Sequence, residues 1–547
     1  MFDFTMKNRN TIETKFNAAF RIMLMLSVIA VPHSVLWADE ADIFLGVADA
    51  RAALFDSYAQ VIRDNGIISQ KGFKRLDTTW DSELERAKKL FVSARTKEDV
   101  YYALVALKNS MHNTHSAINV PDKLKPQDDS LSLPFKLALA GSAIHNPRAV
   151  VIQSKIPQVK RGFELIKYND KDLPALQYEY LQWHDSNSPE LLKFETVKWL
   201  TRRDAEDVPL PSTKPVEMSF YDLEAQTTVQ VSLEWRKRPK PDVEQSSPCG
   251  INMENDGDYK EFKFDFAGLN YCVYKDPVSK TILLRYFSFY YYFPVMRLWN
   301  RTAFLSYKPQ VLDTHSNYPA EHQLSQIDAA ELRKYLARQK WRRLLIDVRE
   351  NTGGGLPEEL LKFIARKPFR MATRSFVYTP RMRGDVNIFD KATENLGPVK
   401  EFLAKDMENN KNAKESFRYQ YSYDCPHKCT LADMMNAEKQ PDIQIKKFDV
   451  AVLSGPLCVS SCDQFVSIFK YNDMGRVFGL PSRGGTMPSG MEEEFVLKNG
   501  DKFSVRLPTG IGYKPDGEAL EGNPPIPDFF LFPQENYLRI MLDHMDK

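Results

Sequence analysis

The sequence predicts an α/β protein preceded by a helical module, with a small β-rich domain between the two. From Thr281 onward short apolar runs alternate with segments of helical periodicity, the texture of βαβ units. From Ala41 to Met111 apolar residues recur at helical spacing, and from about Leu133 to Arg238 the chain shifts to short alternating strands with one helix. A chain of 547 residues exceeds a single hydrophobic core, so two or three domains are expected.

The chain opens with Lys7, Arg9, Lys15 and Arg21, then an apolar run from Ile22 to Val31, then Pro32 and a small-residue exit at Ala38. That is the layout of a secretory signal peptide, residues 1–38, with cleavage expected after Ala38. The run falls short of the about 20 apolar residues that span a bilayer, so an uncleaved anchor is the second choice and no membrane span is expected once the signal is removed. The net charge of +2 leaves no basic surplus, so neither a nucleic acid nor an anionic membrane is expected as a partner. The six cysteines fall as near neighbours: Cys249 and Cys272, Cys425 and Cys429, Cys458 and Cys462. Export permits disulfides; local pairing is the simplest scheme, with a cross-link between the last two pairs its main rival. A zinc site from Cys425, His427 and Cys429 lacks a second ligand pair at a suitable spacing, so no metal is expected.

In the helical module (39–132) Ile43, Leu45, Val47, Ala50, Leu54 and Tyr58 mark one face, and Asn65-Gly66 marks its end. Thr96-Lys-Glu-Asp99 reads as a capping box opening a helix lined by Val100, Leu104, Leu107 and Met111. Asn109 to Ser116 breaks that pattern with a histidine-bearing turn before the strand at Ala117 to Val120. In the second domain (133–240) strands are expected at Ala149–Ile152, Phe163–Tyr168 and Thr228–Trp235, with Asn169-Asp170-Lys171 turning one strand into the next. Residues 156–174, with Gly162 ahead of a strand, resemble the core of PDZ domains; this implies capture of an extended peptide or chain terminus as an added strand. The plain alternative is another small β domain. Residues 241–278 are polar and expected as a linker or insertion. The core (279–547) should alternate a strand from Ile282, a helix at Ala329–Gln339, a strand at Leu344–Val348 and a helix at Leu356–Ala365. A polar insertion at 376–440 has the length of a lid or of surface decoration.

Two stretches carry chemistry. Asp347-Val-Arg349-Glu-Asn351-Thr-Gly353-Gly354-Gly355 reads as a buried strand running into a glycine-rich turn. Gly455-Pro-Leu-Cys458-Val-Ser460-Ser461-Cys462-Asp463 reads as a serine elbow between the strand Phe448–Ser454 and a helix through Phe465, Ile468 and Phe469. Acyl transfer needs both parts: backbone N–H donors, here Gly353 or Gly354 with Ser461, and a nucleophile, here Ser460. Taken singly, the serines also read as a helix cap and the glycines as a tight connection needing positive φ. A serine nucleophile needs a base, for which His115 is the candidate, and a carboxylate to orient it, for which Glu521 is the candidate. Their plain readings are a surface histidine and a solvated loop carboxylate. Cys458 and Cys462 flank the serine at disulfide spacing for a turn or helix; a bridge would stiffen the elbow, and otherwise they are two small buried thiols. Cys462 as the nucleophile would make a thiol enzyme, which export disfavours.

From Ala41 to about Asp543 the chain resembles the tail-specific, or C-terminal processing, serine proteases, whose relatives include the tricorn core protease. The resemblance is carried, in order, by Asp347-Val-Arg349-Glu-Asn351-Thr-Gly353-Gly354, Ser460-Ser-Cys-Asp463-Gln-Phe, Gly475-Arg476-Val-Phe-Gly479 and Glu521-Gly-Asn-Pro-Pro-Ile-Pro-Asp528. It implies a crotonase-like (ClpP/crotonase) core behind the helical and PDZ-like domains. One departure matters: members with a Ser–Lys dyad carry a lysine where this chain has Gly485, within Gly479-Leu-Pro-Ser-Arg483-Gly484-Gly485-Thr486. Arg483 cannot replace it, because a guanidinium keeps its proton near neutral pH. The chain instead resembles the tricorn-like branch, which implies Ser460 as nucleophile, His115 as base and Glu521 as orienting carboxylate, with Glu518 in reserve. The implied protein is a periplasmic or secreted serine endopeptidase acting on proteins or peptides through an acyl-enzyme, without cofactor; the sequence sets no oligomeric state. The lost lysine supports one rival, an inactive member that binds peptides or another ligand. A weaker rival is an acyl-CoA enzyme sharing the core fold.

Overall fold

The computed structural model describes residues 40–127, 129–141, 147–211, 214–238, 249, 261–289, 317–393, 399–420, 430–442, 448–485, 489–532 and 537–545. The expected signal peptide and Cys425, His427 and Cys429 lie outside these residues.

The N-terminal helices are Ala48–Asn65 (α1), Gln70–Arg75 (α2), Trp80–Ser93 (α3) and Lys97–Asn109 (α4), followed by the strand Ala117–Asn119 (β1). The middle of the chain holds Phe135–Ala140 (β2), Arg148–Ser154 (β3), Glu164–Tyr168 (β4), Leu173–Tyr180 (α5), Pro189–Trp199 (α6), Val216–Asp222 (β5) and Thr227–Leu233 (β6). Next come Lys263–Ala267 (β7), Tyr271–Asp276 (β8), Thr281–Tyr286 (β9), Asn317–Arg338 (α7), Arg343–Asp347 (β10), Glu358–Ile364 (α8), Thr373–Phe376 (β11), Val386–Thr393 (α9) and Val399–Asn409 (α10). The last are Asp449–Ser454 (β12), Ser461–Tyr471 (α11), Arg476–Gly479 (β13), Ser489–Val496 (β14), Lys502–Pro508 (β15), Gly510–Tyr513 (β16), Phe529–Phe530 (β17) and Tyr537–Met545 (α12).

The functional half is built on a seven-stranded sheet in the order β7-β8-β9-β10-β12-β13-β17, parallel from β9 onward. Its central strands are apolar on both faces, as a sheet covered on both sides requires. Along β10 the side chains alternate: Leu344 and Ile346 enter one cluster with Phe465, Ile468 and Phe469 of α11, while Leu345 enters another with Leu538 and Met541 of α12. The expected strands and helices of this region all form. The stretch expected as a linker does not remain one: β7 and β8 lie within 241–278 and extend the sheet antiparallel. The edge strand β7 was hidden because Lys263, Phe264 and Asp265 are all exposed and read as polar linker.

The middle domain is a five-stranded sheet, β2-β3-β4-β5-β6, over α5 and α6. The turn at Asn169 and Asp170 forms with φ of 46° and 62°, but it leads into a helix rather than a strand. Asp172 caps that helix, accepting the Ala175 N–H at 2.9 Å, and Pro174 suits its first turn.

The N-terminal helices do not close on themselves. The capping box forms as read, with Thr96 Oγ1 accepting the Asp99 N–H at 3.1 Å and Asp99 Oδ2 the Thr96 N–H at 2.9 Å. Yet Phe55, Phe91 and Leu104 share one core with Phe376, Phe389 and Leu403 of the insertion and Phe495 and Phe503 of β14 and β15. β1 pairs antiparallel with β15, Ala117 opposite Arg506, in a sheet ordered β1-β15-β14. A residue just upstream of β1 is thereby pinned to C-terminal strands.

Among the described residues no helix is long and apolar enough to cross a membrane. Phe465 is fully buried in the largest cluster of the sheet, its ring 5.6 Å from that of Phe289. Phe465→Ala should therefore cost about 3–5 kcal/mol, read as a lower urea midpoint at unchanged slope.

Candidate active site

The glycine turn and the serine elbow meet. β10 and β12 are adjacent parallel strands in register, Asp347 opposite Leu453, so their following loops leave the same edge of the sheet. Gly353, at φ 83°, presses against the elbow: a Cβ there would sit 2.5 Å from Val459 O, 2.7 Å from Ser460 Cβ and 3.1 Å from Ser461 N. No other residue tolerates both that backbone and that contact. The Gly353 N–H is already engaged by Asn351 Oδ1 at 2.8 Å, and the Gly355 N–H by Phe289 O at 2.7 Å. Gly354 and Ser461 are therefore the better-suited N–H donors of the expected trio, and the Ser461 hydroxyl donates to Gly354 O, joining the two loops.

Ser460 stands at φ 64° and ψ −120°, a backbone that an L-residue adopts at a cost, at the N-terminus of α11 and partly open to solvent. Its N–H donates to Gly485 O and to Asp463 Oδ2, each at 3.0 Å. Asp463, fully buried, also accepts the N–H groups of Gly484 at 2.8 Å and Gly485 at 3.0 Å. Burial pushes its carboxyl up to about 6, against the lowering effect of these bonds. The sequence reading gave Asp463 no role, although an acidic residue three positions after a helix-opening serine is a visible capping signal.

His115 lies one residue from Thr114, and Thr114 packs against Gly485: a Cβ at Gly485 would fall 2.8 Å from Thr114 Oγ1 and 3.0 Å from Thr114 Cβ. Gly485 O in turn accepts from Ser460, so the histidine turn and Ser460 are neighbours through a single residue. His115 Nδ1 is buried without a hydrogen-bond partner. Burial first, then the positive charges of Arg374 and Arg483, push the imidazole down to about 4, with Asp185 opposing them. The other histidine of that loop, His112, is a core residue, its Nδ1 2.8 Å from His184 O and its Nε2 3.7 Å from buried Glu83.

The two candidate carboxylates part company. Glu518 is on the surface, paired with Lys71 at 2.7 Å. Glu521 is buried, accepting from Asn113 Nδ2 at 3.4 Å and Asn187 Nδ2 at 3.0 Å. Asn113 Oδ1 accepts the His115 N–H at 2.9 Å, so Glu521 reaches the histidine turn through Asn113. Nothing in the sequence points to Asn187, which is brought from the middle domain by folding alone. Arg483, excluded as a base, crosses to Asp185 of that domain, while its N–H donates to Cys458 O at 2.8 Å. Cys458 and Cys462 are bridged, Cα–Cα 5.3 Å, as are Cys249 and Cys272 at 5.5 Å, the local pairing.

Residues 320–530 match the family model described as Peptidase family S41. No curated protein sequence matches the chain. In fold it is similar to the crystal structure of mature CPAF, at 13% identity and a TM-score of 0.58, covering 91% of this chain and 96% of that one. It is likewise similar to mature CPAF complexed with lactacystin, at 13% identity and a TM-score of 0.57, covering 91% and 98%. At this identity the likeness is one of fold.

The proton uptake of His115 is open to measurement. The folded chain refuses a proton that the unfolded chain accepts between pH 6.5 and about 4, so this group's contribution to stability is whole above 6.5 and lost as pH falls through that window. An NMR titration should find its midpoint well below 6.5, and Arg374→Gln should move it upward; a midpoint at or above 6.5 would contradict the placement.

Proposed function

We propose, on the premise that this chain belongs to peptidase family S41 through residues 320–530 and is a serine-type peptidase, that it is an exported endopeptidase with Ser460 as nucleophile. The observation that carries the reading is the contact of Gly353 with Ser460 and Ser461, which sets N–H donors beside a partly exposed serine in a left-handed backbone. His115 is the base. Glu521 is a positioning residue that holds the His115 turn through Asn113. The core is read as crotonase-like and the domain at 133–240 as PDZ-like, presenting extended peptides. The signal-like N-terminus and the disulfides support export.

In the first half-reaction Ser460 Oγ attacks the scissile carbonyl carbon and His115 takes the hydroxyl proton. The oxyanion forms toward the N–H groups of Gly354 and Ser461, at the positive end of α11. The C–N bond breaks as His115 returns the proton to the leaving amine, and the acyl group stays on Ser460 as an ester. Water then attacks that ester, giving its proton to His115, and Ser460 leaves with it. A neutral imidazole is required for the first step, and burial with Arg374 and Arg483 nearby favours that form.

A fluorophosphonate probe tests the nucleophile. The wild-type chain should be labelled at Ser460, and Ser460→Ala should remove both labelling and peptide hydrolysis with folding intact. A folded wild-type chain that takes no label would support the non-catalytic binding protein instead. Lactacystin, held by mature CPAF in a solved complex, is a second probe of the same serine. For the base, His115→Ala should lower kcat about 10³-fold or more, and the acid limb of kcat/KM should lie below pH 6.5.

The glycine contact is tested separately. Gly353→Ala should lower kcat at least about 100-fold, because its Cβ has to displace Val459 O or Ser460, whereas Gly384→Ala, which meets no neighbour, should leave kcat near wild type.

A further inference from the structure

We propose that Cys458 and Cys462 are positioning residues for peptide-bond hydrolysis: their bridge holds Ser460 in its reactive backbone, so the oxidised chain is active and reduction of this one bridge disables it. The inference rests on Ser460 being the nucleophile.

The bridge spans the serine. Cys458 lies two residues before it and Cys462 two residues after, both fully buried. Ser460 sits at φ 64°, a conformation its own chemistry disfavours, so the surroundings have to impose it. Besides the bridge, those surroundings are the close contact of Gly353 and hydrogen bonds: Val459 N–H to Asn351 O at 3.2 Å, Ser460 N–H to Gly485 O and to Asp463 Oδ2, each at 3.0 Å, and Cys462 N–H to Val459 O at 3.1 Å.

Each cysteine also carries a second part of the site. The carbonyl of Cys458 accepts the Arg483 N–H at 2.8 Å and so anchors the turn bearing Gly484 and Gly485. Cys462 belongs to the first turn of α11, whose N-terminus presents the Ser461 N–H. Displacing either sulfur-bearing residue therefore disturbs the serine together with one of its supports.

Reduction forces such a displacement. Two thiols cannot remain at bonding distance and have to separate to van der Waals contact. Both sulfurs lie in the close-packed cluster of Val348, Phe465 and Val466, which offers little slack. The chemistry balances with a dithiol as reductant. Its thiolate attacks one sulfur and forms a mixed disulfide; its second thiol then closes the cyclic disulfide, and the protein pair gains two electrons and two protons. Burial should make the step slow, and an oxidant of disulfide class reverses it.

The test uses the full chain purified oxidised, with dithiothreitol as reductant, a fluorophosphonate as probe and fluorescently tagged casein as substrate, the state of each cysteine pair being read by peptide mass mapping. As the Cys458–Cys462 bridge opens, the rate of Ser460 labelling and kcat should fall about 10–100-fold with KM little changed, and both should return on reoxidation with oxidised glutathione. Cys458→Ala/Cys462→Ala should label at the slow rate with or without dithiothreitol. Full-rate labelling of the mapped reduced chain, or of a folded double variant, overturns the inference while leaving Ser460 as nucleophile. Should the double variant fail to fold, the reduced wild-type chain decides alone. Failure of the oxidised wild-type chain to label overturns the nucleophile assignment and this inference with it.

Discussion

The carboxylate of Asp463 gathers the N–H groups of Ser460, Gly484 and Gly485 at 3.0, 2.8 and 3.0 Å, and the rest of the site is arranged around that junction. It closes the first turn of α11, bends the chain at Ser460 and draws in the turn that follows β13. Its ionised form is held at a cost, since burial lifts its pKa to about 6. A group raised above its unfolded value contributes most stability when protonated, and that contribution declines as pH rises through about 6. The carboxyl is kept because without it the N–H groups of Gly484 and Gly485 would lose their acceptor, each costing about 1–3 kcal/mol when unpaired, and because an anion suits a helix N-terminus.

That junction explains why the serine elbow was legible in the sequence and its partners from distant segments less so. Ser460, Ser461 and Asp463 are local: a buried apolar strand, a short polar elbow and an amphipathic helix fix one another within about fifteen residues. The glycine turn is local in the same way, and parallel pairing of β10 with β12 brings both loops to one edge. The edge strand β7 was hidden because its exposed residues read as polar linker. The helix at Leu173–Tyr180 replaced an expected strand because Asp172 and Pro174 decide the direction after the turn. Asn187 and Asp185 were invisible, since their roles exist only through partners some 300 residues away.

The turn that carries His115 is brought toward Ser460 by sheet pairing rather than by proximity in the chain. β1 begins two residues after it and lies along β15; β14, on the far side of β15, begins four residues after Gly485. One three-stranded sheet therefore fixes both the histidine turn and the turn that receives the Ser460 N–H. The helical module contributes to this by sharing its core with the insertion and with β14 and β15, so neither is mere decoration.

The glycine at position 485 then acquires a physical reason. A side chain there would begin 2.8 Å from Thr114 Oγ1, in the space that the histidine-bearing turn occupies. A lysine at 485 would therefore have to displace Thr114 in the turn that carries His115. Charge around the position is mixed: Arg374 and Arg483 would oppose an added ammonium and the carboxylates of Asp185 and Asp463 would favour it, while burial favours a neutral imidazole. A glycine at 485 is therefore what lets the turn carrying His115 pack against the loop that accepts the Ser460 N–H.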